Sequence, residues 1–241
     1  MPMLEINGLT KRYGRHTVVD NLSFSCSAGE VLGFLGPNGA GKSTTMKMVT
    51  GFVQPSAGSA VVCGHDIGTD TLAAQRCLGY LPEGAPLYAE MTPGQFLEFI
   101  ADIRQLEGNT RRERIDEVIE RLHLGPVLRQ SIDTLSKGFK RRVGLAQAIM
   151  HDPDVLILDE PTDGLDPNQK HEVRGLIRSM SADKLIVIST HILEEVEAVC
   201  SRAIIIADGK LLVDDTPENL MQRGGGRLDE VFRRITQGGE L

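Results

Sequence analysis

Residues 36 to 44 read Gly36-Pro37-Asn38-Gly39-Ala40-Gly41-Lys42-Ser43-Thr44, preceded by Val31-Leu32-Gly33-Phe34-Leu35 and followed by an unbroken run to Val49. The first flank is an apolar stretch of strand length. The second carries no helix breaker, so the order is strand, loop, helix. Phosphate binding needs that order. Glycines let backbone N–H groups curl around phosphate oxygens, and the helix N-terminus adds partial positive charge. The spacing G-x-x-x-x-G-K-[ST] gives Lys42 access to β- and γ-phosphates and offers the Ser43 hydroxyl to Mg²⁺.

The chain has 241 residues, enough for one core with at most a small subdomain. Its net charge of −7 argues against a surface that binds nucleic acid as a whole. Cys26, Cys63, Cys77 and Cys200 are scattered without a C-x-x-C pair. They read as small, mostly buried apolar residues of a reducing compartment, not as a disulfide or zinc framework. The opening Met1-Pro2-Met3-Leu4-Glu5-Ile6 lacks a basic region before an apolar core, which predicts no signal peptide. No window approaches the roughly 20 apolar residues of a membrane span. A cytoplasmic protein is expected, with any membrane role exercised through a partner.

Short strands are predicted at Leu4–Asn7, Thr17–Val19, Leu22–Ser25, Val31–Leu35 and Ala60–Cys63. Thr92-Pro93-Gly94-Gln95 is a capping box with Pro at the first helical position, opening a helix through Leu106. Thr110-Arg111-Arg112-Glu113 repeats the box and predicts a second helix ending near Leu124-Gly125. Apolar runs at Val155–Leu158, Leu185–Ser189 and Ala203–Ala207 predict doubly buried strands, separated by helices around 168–181 and 192–200. That alternation implies a parallel sheet, interrupted by a helical stretch near 92–130. The tail pairs a glycine joint, Arg223-Gly224-Gly225-Gly226-Arg227, with an amphipathic helix ending near Ile235.

Val155–Leu158 ends in Asp159-Glu160, two carboxylates at the C-terminal edge of a buried strand, where open α/β sheets place ligands. Asp159 suits Mg²⁺, through water, and Glu160 suits orienting or deprotonating an attacking water. His191 follows the strand ending at Ser189-Thr190. It can donate to a γ-phosphate, although a lone histidine after a strand is more often structural. Leu135-Ser136-Lys137-Gly138-Phe139 precedes a helix that Ser136 can cap, with Phe139, Val143, Ala146 and Met150 on one face; taken alone, it reads as an ordinary capped helix with a basic solvated face at Lys140, Arg141 and Arg142.

Taken in order, these motifs resemble the ATP-binding cassette family, the ATPase subunits of ABC transporters, from about Leu4 to Pro217. Leu135–Phe139 is similar to the family's signature L-S-G-G-Q. The resemblance implies an α/β P-loop NTPase fold: a mostly parallel core sheet, an N-terminal antiparallel β-subdomain and an inserted α-helical subdomain. It implies one ABC domain over 1–241, with residues 1–83 and 152–222 as catalytic core, 84–151 as helical subdomain and 223–241 as a short tail. ATP and Mg²⁺ are the implied cofactors. Tyr13 resembles the aromatic that stacks on adenine, Gly36 to Thr44 the phosphate loop, and Asp166 in Asp163-Gly164-Leu165-Asp166 the D-loop. Ser43, Glu83 and Asp159 take metal roles, and Lys42, Glu160 and His191 catalytic ones. Leu135, Ser136, Lys137, Gly138 and Phe139 would cover the ATP of a second cassette.

Three residues depart from the family pattern. Glu83, in Gly79-Tyr80-Leu81-Pro82-Glu83, stands for the Q-loop glutamine, and Lys137 and Phe139 replace a glycine and a glutamine of the signature. These features resemble the branch serving bacterial multidrug, sodium or gliding-motility exporters with separately encoded membrane subunits. Many members of that branch have a longer C-terminal region. The implied machine is a head-to-tail pair, of two identical or paralogous cassettes, around two ATP. It would dock near Glu83–Met91 on a membrane-embedded permease, from the cytoplasmic side, with no nucleic-acid partner. Two other readings share these motifs. A soluble ABC ATPase acting on DNA or ribosomes is opposed by the short Gly84–Thr134 stretch and the single cassette. A nucleotide sensor without hydrolysis is opposed by Glu160 and His191.

Overall fold

The computed structural model describes residues 2–223, 225 and 227–236. Leu4–Tyr13 (β1) and His16–Cys26 (β2) form an antiparallel pair in register from Leu4↔Cys26 to Tyr13↔His16. β2 spans both strands expected at 17–19 and 22–25. Asn21 between them takes φ +54° and is absorbed as a bulge, where the ladder shifts from Leu9↔Leu22 to Lys11↔Val19. Val31–Leu35 (β3) is buried at every residue and passes through the glycine loop into α1 (Lys42–Val49), both with the expected bounds. The chain returns to β1 as β4 (Ala57–Val62) and β5 (His65–Asp66), completing an antiparallel sheet of order β2-β1-β4-β5.

After α2 (Thr71–Arg76), the short strand β6 (Leu78–Leu81) enters the core sheet. Next come α3 (Pro93–Ile103), α4 (Gly108–Arg121) and α5 (Lys137–Ile149). The Thr92 capping box forms, with Thr92 Oγ1 accepting from Gln95 N–H at 3.2 Å and Gln95 Oε1 accepting from Thr92 N–H at 3.0 Å. α3 stops before Leu106, at a turn where Gln105 has φ +57°. The second box does not form. α4 starts three residues earlier because Arg111 N–H bonds Glu107 O at 3.2 Å, and the Arg111 side chain reaches Glu98 on α3 at 2.6 Å. α4 ends at Arg121, short of Leu124, where His123 turns out at φ +51°.

β7 (Val155–Asp159), α6 (Pro167–Met180), β8 (Leu185–Thr190), α7 (Leu193–Val199) and β9 (Arg202–Ala207) follow the predicted alternation to within one or two residues. β10 (Lys210–Asp215), α8 (Pro217–Arg223) and α9 (Leu228–Thr236) complete the described chain. Of the glycine joint, Gly224 and Gly226 lie outside the described residues. The core sheet runs β10-β9-β3-β8-β7-β6, parallel except for β10.

This sheet is buried on both faces, which accounts for its unbroken apolar runs. Phe34, Ile157, Val187 and Ile204 face the antiparallel sheet and α1, while Leu35, Leu158, Ile188 and Ile205 face the helices. Gly79 lets α5 approach β6, since a Cβ there would collide with Ala148 O. Gly79→Ala should therefore lower the unfolding free energy by about 1–3 kcal/mol, read as a shift in the urea midpoint.

Candidate functional site

The glycine loop is shaped by close backbone approach. A Cβ on Gly36 would stand 2.5 Å from Ile206 O, and Gly41, at φ +100°, is the left-handed residue that starts α1. The loop's base is clasped by the β9–β10 turn: Gly209 N–H donates to Ala40 O at 3.1 Å while Gly209 O accepts from Asp20 N–H at 2.8 Å. Lys42 is buried, and its Nζ donates to Gly36 O at 2.7 Å and Pro37 O at 3.2 Å. Burial pushes its pKa down, opposed by the carboxylates of Glu160, Asp159 and Glu83. The loop thus holds its own cation until a stronger anion arrives.

Asp159, at the end of β7, is 1% exposed, and neither of its carboxylate oxygens has a hydrogen-bond partner among the described residues. A buried carboxylate without a donor suits a metal cation or its water shell. Glu160 turns the chain outward at φ +52°, with its N–H on Ser189 O at 2.8 Å. Thr190 Oγ1 donates to Glu160 Oε2 at 3.3 Å, and His191 Nδ1 stands 2.8 Å from Oε1. With the carboxylate ionised, that contact requires the imidazole proton on Nδ1. A cleft of about 360 Å³ opens here, lined by Asn38, Lys42, Ser43, Thr44, Glu83 and Glu160 among others.

The other expected site residues lie outside the lining of this cleft. Tyr13 ends β1 as an exposed ring with Lys11 Nζ 5.1 Å from its centre. Leu135 is buried, and Ser136 Oγ caps α5 by accepting from Phe139 N–H at 3.4 Å. Lys137 pairs with Asp163 at 2.8 Å, Gly138 abuts the Gln169 side chain, and Phe139 packs under Arg142. Asp166 caps α6, accepting from Asn168 N–H at 2.9 Å and Gln169 N–H at 3.0 Å.

Arg141 does not lie on a solvated face of α5. It is 6% exposed, and its fork donates to Pro82 O and Pro161 O, each at 3.2 Å, and to Asp159 O and Glu160 O. Its neighbours are engaged as well, Lys140 with Asp133 O and Arg142 with Glu172. The available signal was periodicity: Arg141 falls three and four residues before the buried Gly144 and Leu145. The cysteines also need correction. Cys26 and Cys200 are buried as expected, whereas Cys63 and Cys77 are half-exposed and lie together beside Asp154.

Arg141→Ala strands four backbone carbonyls and is expected to cost at least about 2 kcal/mol in a urea melt. Arg141→Lys, which keeps the charge but not the fork, should lower the hydrolysis rate more than ATP affinity. Glu195 is buried behind the His191 turn, and that burial pushes its carboxyl pKa up. A raised carboxyl pKa means stability falls as pH rises through the shifted range. Glu195→Gln should therefore raise the melting temperature at pH 8 and lose that advantage in acid, as thermal melts across pH would report.

The ABC transporter family profile matches residues 19–163. The uncharacterized ABC transporter ATP-binding protein YhcH of Bacillus subtilis is 40% identical over 240 residues, covering 99% of this chain and 77% of that relative. The linearmycin resistance ATP-binding protein LnrL of the same organism is 38% identical, covering 98% of this chain and 76% of its own. The Nod factor export ATP-binding protein I of Ralstonia nicotianae is 38% identical, with 91% and 69% covered. A solved ATP-binding subunit of an ABC transporter superposes with a TM-score of 0.89 at 29% identity, over 97% of this chain and 99% of that one. The chain belongs to the ABC transporter family, as one of its ATP-binding, ATP-hydrolysing subunits.

Proposed function

We propose that this chain is the motor of an exporter: two cassettes, identical or paralogous, close around two ATP and pull on a separate membrane-embedded permease. The observation that carries the pairing is the separation of its two half-sites. Lys42, Ser43, Glu83 and Glu160 share one cleft, while the Ser136 turn opens elsewhere on the same chain. The N-terminus of α5, capped by Ser136, lines no part of that cleft, which supports its serving a second molecule's nucleotide. Export rests on relatives named for linearmycin resistance and Nod factor export.

Lys42 would exchange the Gly36 and Pro37 carbonyls for β- and γ-phosphate oxygens. Mg²⁺ fits the Ser43 hydroxyl, the unpartnered Asp159 carboxylate and Glu83; when bound it neutralises charge developing on the phosphates. Glu160 would orient the attacking water, and His191 would release Glu160 and donate to the γ-phosphate. Tyr13 would stack on adenine from the rim. Asp166 would reach the partner, keeping α6 capped.

In this reading residues 1–83 and 152–222 hold the nucleotide, and 84–151 is the arm that swings. Glu83–Met91 links Mg²⁺ to the permease contact, and 223–241 is a tail. No helix among the described residues is long and apolar enough to cross a membrane, in keeping with a peripheral place on the cytoplasmic face, borne by the permease.

Lys42→Ala should reduce Mg²⁺-dependent ATP hydrolysis by at least about 100-fold; an unaltered rate removes the loop from catalysis. Glu160→Gln should bind ATP, turn over very slowly and run as a dimer on gel filtration in ATP. A strictly monomeric Glu160→Gln protein with ATP bound would overturn the paired machine.

A further inference from the structure

We infer that Cys63, Cys77 and Asp154 form a binding site for a borderline-soft divalent cation of the Zn²⁺ class, at the seam between the antiparallel sheet and the core sheet. The two Sγ atoms and a carboxylate oxygen of Asp154 all lie within 4.8 Å of one another. They come from three separate segments: the β4–β5 turn, the end of α2 and the residue before β7.

Each ligand rises from a pinned backbone. Cys63 N–H donates to Met3 O at 2.8 Å, Cys77 O accepts from Val155 N–H at 3.0 Å, and Asp154 O accepts from Leu185 N–H at 3.0 Å. With Zn–S bonds of about 2.3 Å, tetrahedral neighbours stand about 3.7 Å apart. Side-chain rotation closes the remaining gap of about 1 Å. Two half-buried cysteines and an exposed aspartate leave a side open to solvent, so a water can complete the shell.

Cys63 has φ +50° and Gly64 φ +82°, the conformation of a two-residue hairpin turn that favours Asn-Gly. A cysteine held there costs about 1 kcal/mol of backbone strain, and its side chain is partly buried against the apolar core of the antiparallel sheet. Ligand chemistry narrows the occupant. Two sulfurs and one carboxylate suit Zn²⁺, whereas Mg²⁺ requires oxygen ligands, so this site does not compete with the nucleotide cleft.

Occupancy would staple the β4–β5 turn to the starts of β6 and β7, the strands that lead to Glu83 and to Asp159-Glu160. The test uses the full, reduced chain titrated with Co²⁺ as a spectroscopic stand-in for Zn²⁺. The expected result is one bound equivalent with a thiolate-to-cobalt charge-transfer band, abolished by stoichiometric Zn²⁺. Cys63→Ser and Cys77→Ser should each lose the band while keeping ATP hydrolysis within about twofold, and Asp154→Asn should weaken Co²⁺ binding by ~10-fold or more. The buried Cys26 and Cys200 remain in every variant as controls. Absence of the band in the parent chain at millimolar Co²⁺, or its persistence in Cys63→Ser, overturns the site. So does a parent chain that forms a Cys63–Cys77 disulfide with diamide yet binds no Co²⁺.

Discussion

The parallel register of three neighbouring strands is the constraint on which the nucleotide site depends. β3 pairs with β8 so that Leu35 lies opposite Thr190, and β7 pairs with β8 so that Asp159 lies opposite Ser189. The residues just past those pairs are Gly36, His191 and Glu160, and a common edge is enough to assemble them. A slip of one residue in the β7–β8 ladder would turn Asp159 to the opposite face of the sheet. Nearly continuous burial of both faces is what holds the register, so the apolar bulk of these strands is inseparable from the chemistry at their ends.

Charge at that edge is arranged around a deficit. Lys42 is surrounded by Glu160, Asp159 and Glu83, and one of those carboxylates, Asp159, is buried without a donor. An anionic ligand alone would meet three like charges and one lysine. A polyphosphate accompanied by a divalent cation would meet a balanced set. The Glu160 carboxylate is meanwhile held by Thr190 and His191, so its orientation is fixed by its own chain.

Most of this was legible in the chain because the deciding elements are local. The glycine loop, the apolar strands, the Thr92 box and the Asp159-Glu160 pair each declare themselves within a few residues. What escaped depended on partners distant in sequence. β6 is four residues long and carries Gly79, a poor strand signal until α5 is seen resting on it. Arg141 looked like one of three surface cations, and only the convergence of Pro82, Asp159, Glu160 and Pro161 makes its burial favourable. β10 differs: it is announced locally, since Asp208-Gly209, with φ of +48° and +74°, is a strong hairpin signal in the sequence itself.

The Arg141 fork has a mechanical consequence. It grips the carbonyls of Asp159, Glu160 and Pro161 from the second turn of the helix that Ser136 begins. In the head-to-tail pair proposed above, that helix would touch the partner's nucleotide with its first turn and brace its own chain's Asp159-Glu160 segment with its second. One rigid element would then join the two nucleotide positions, as a connecting rod joins two strokes.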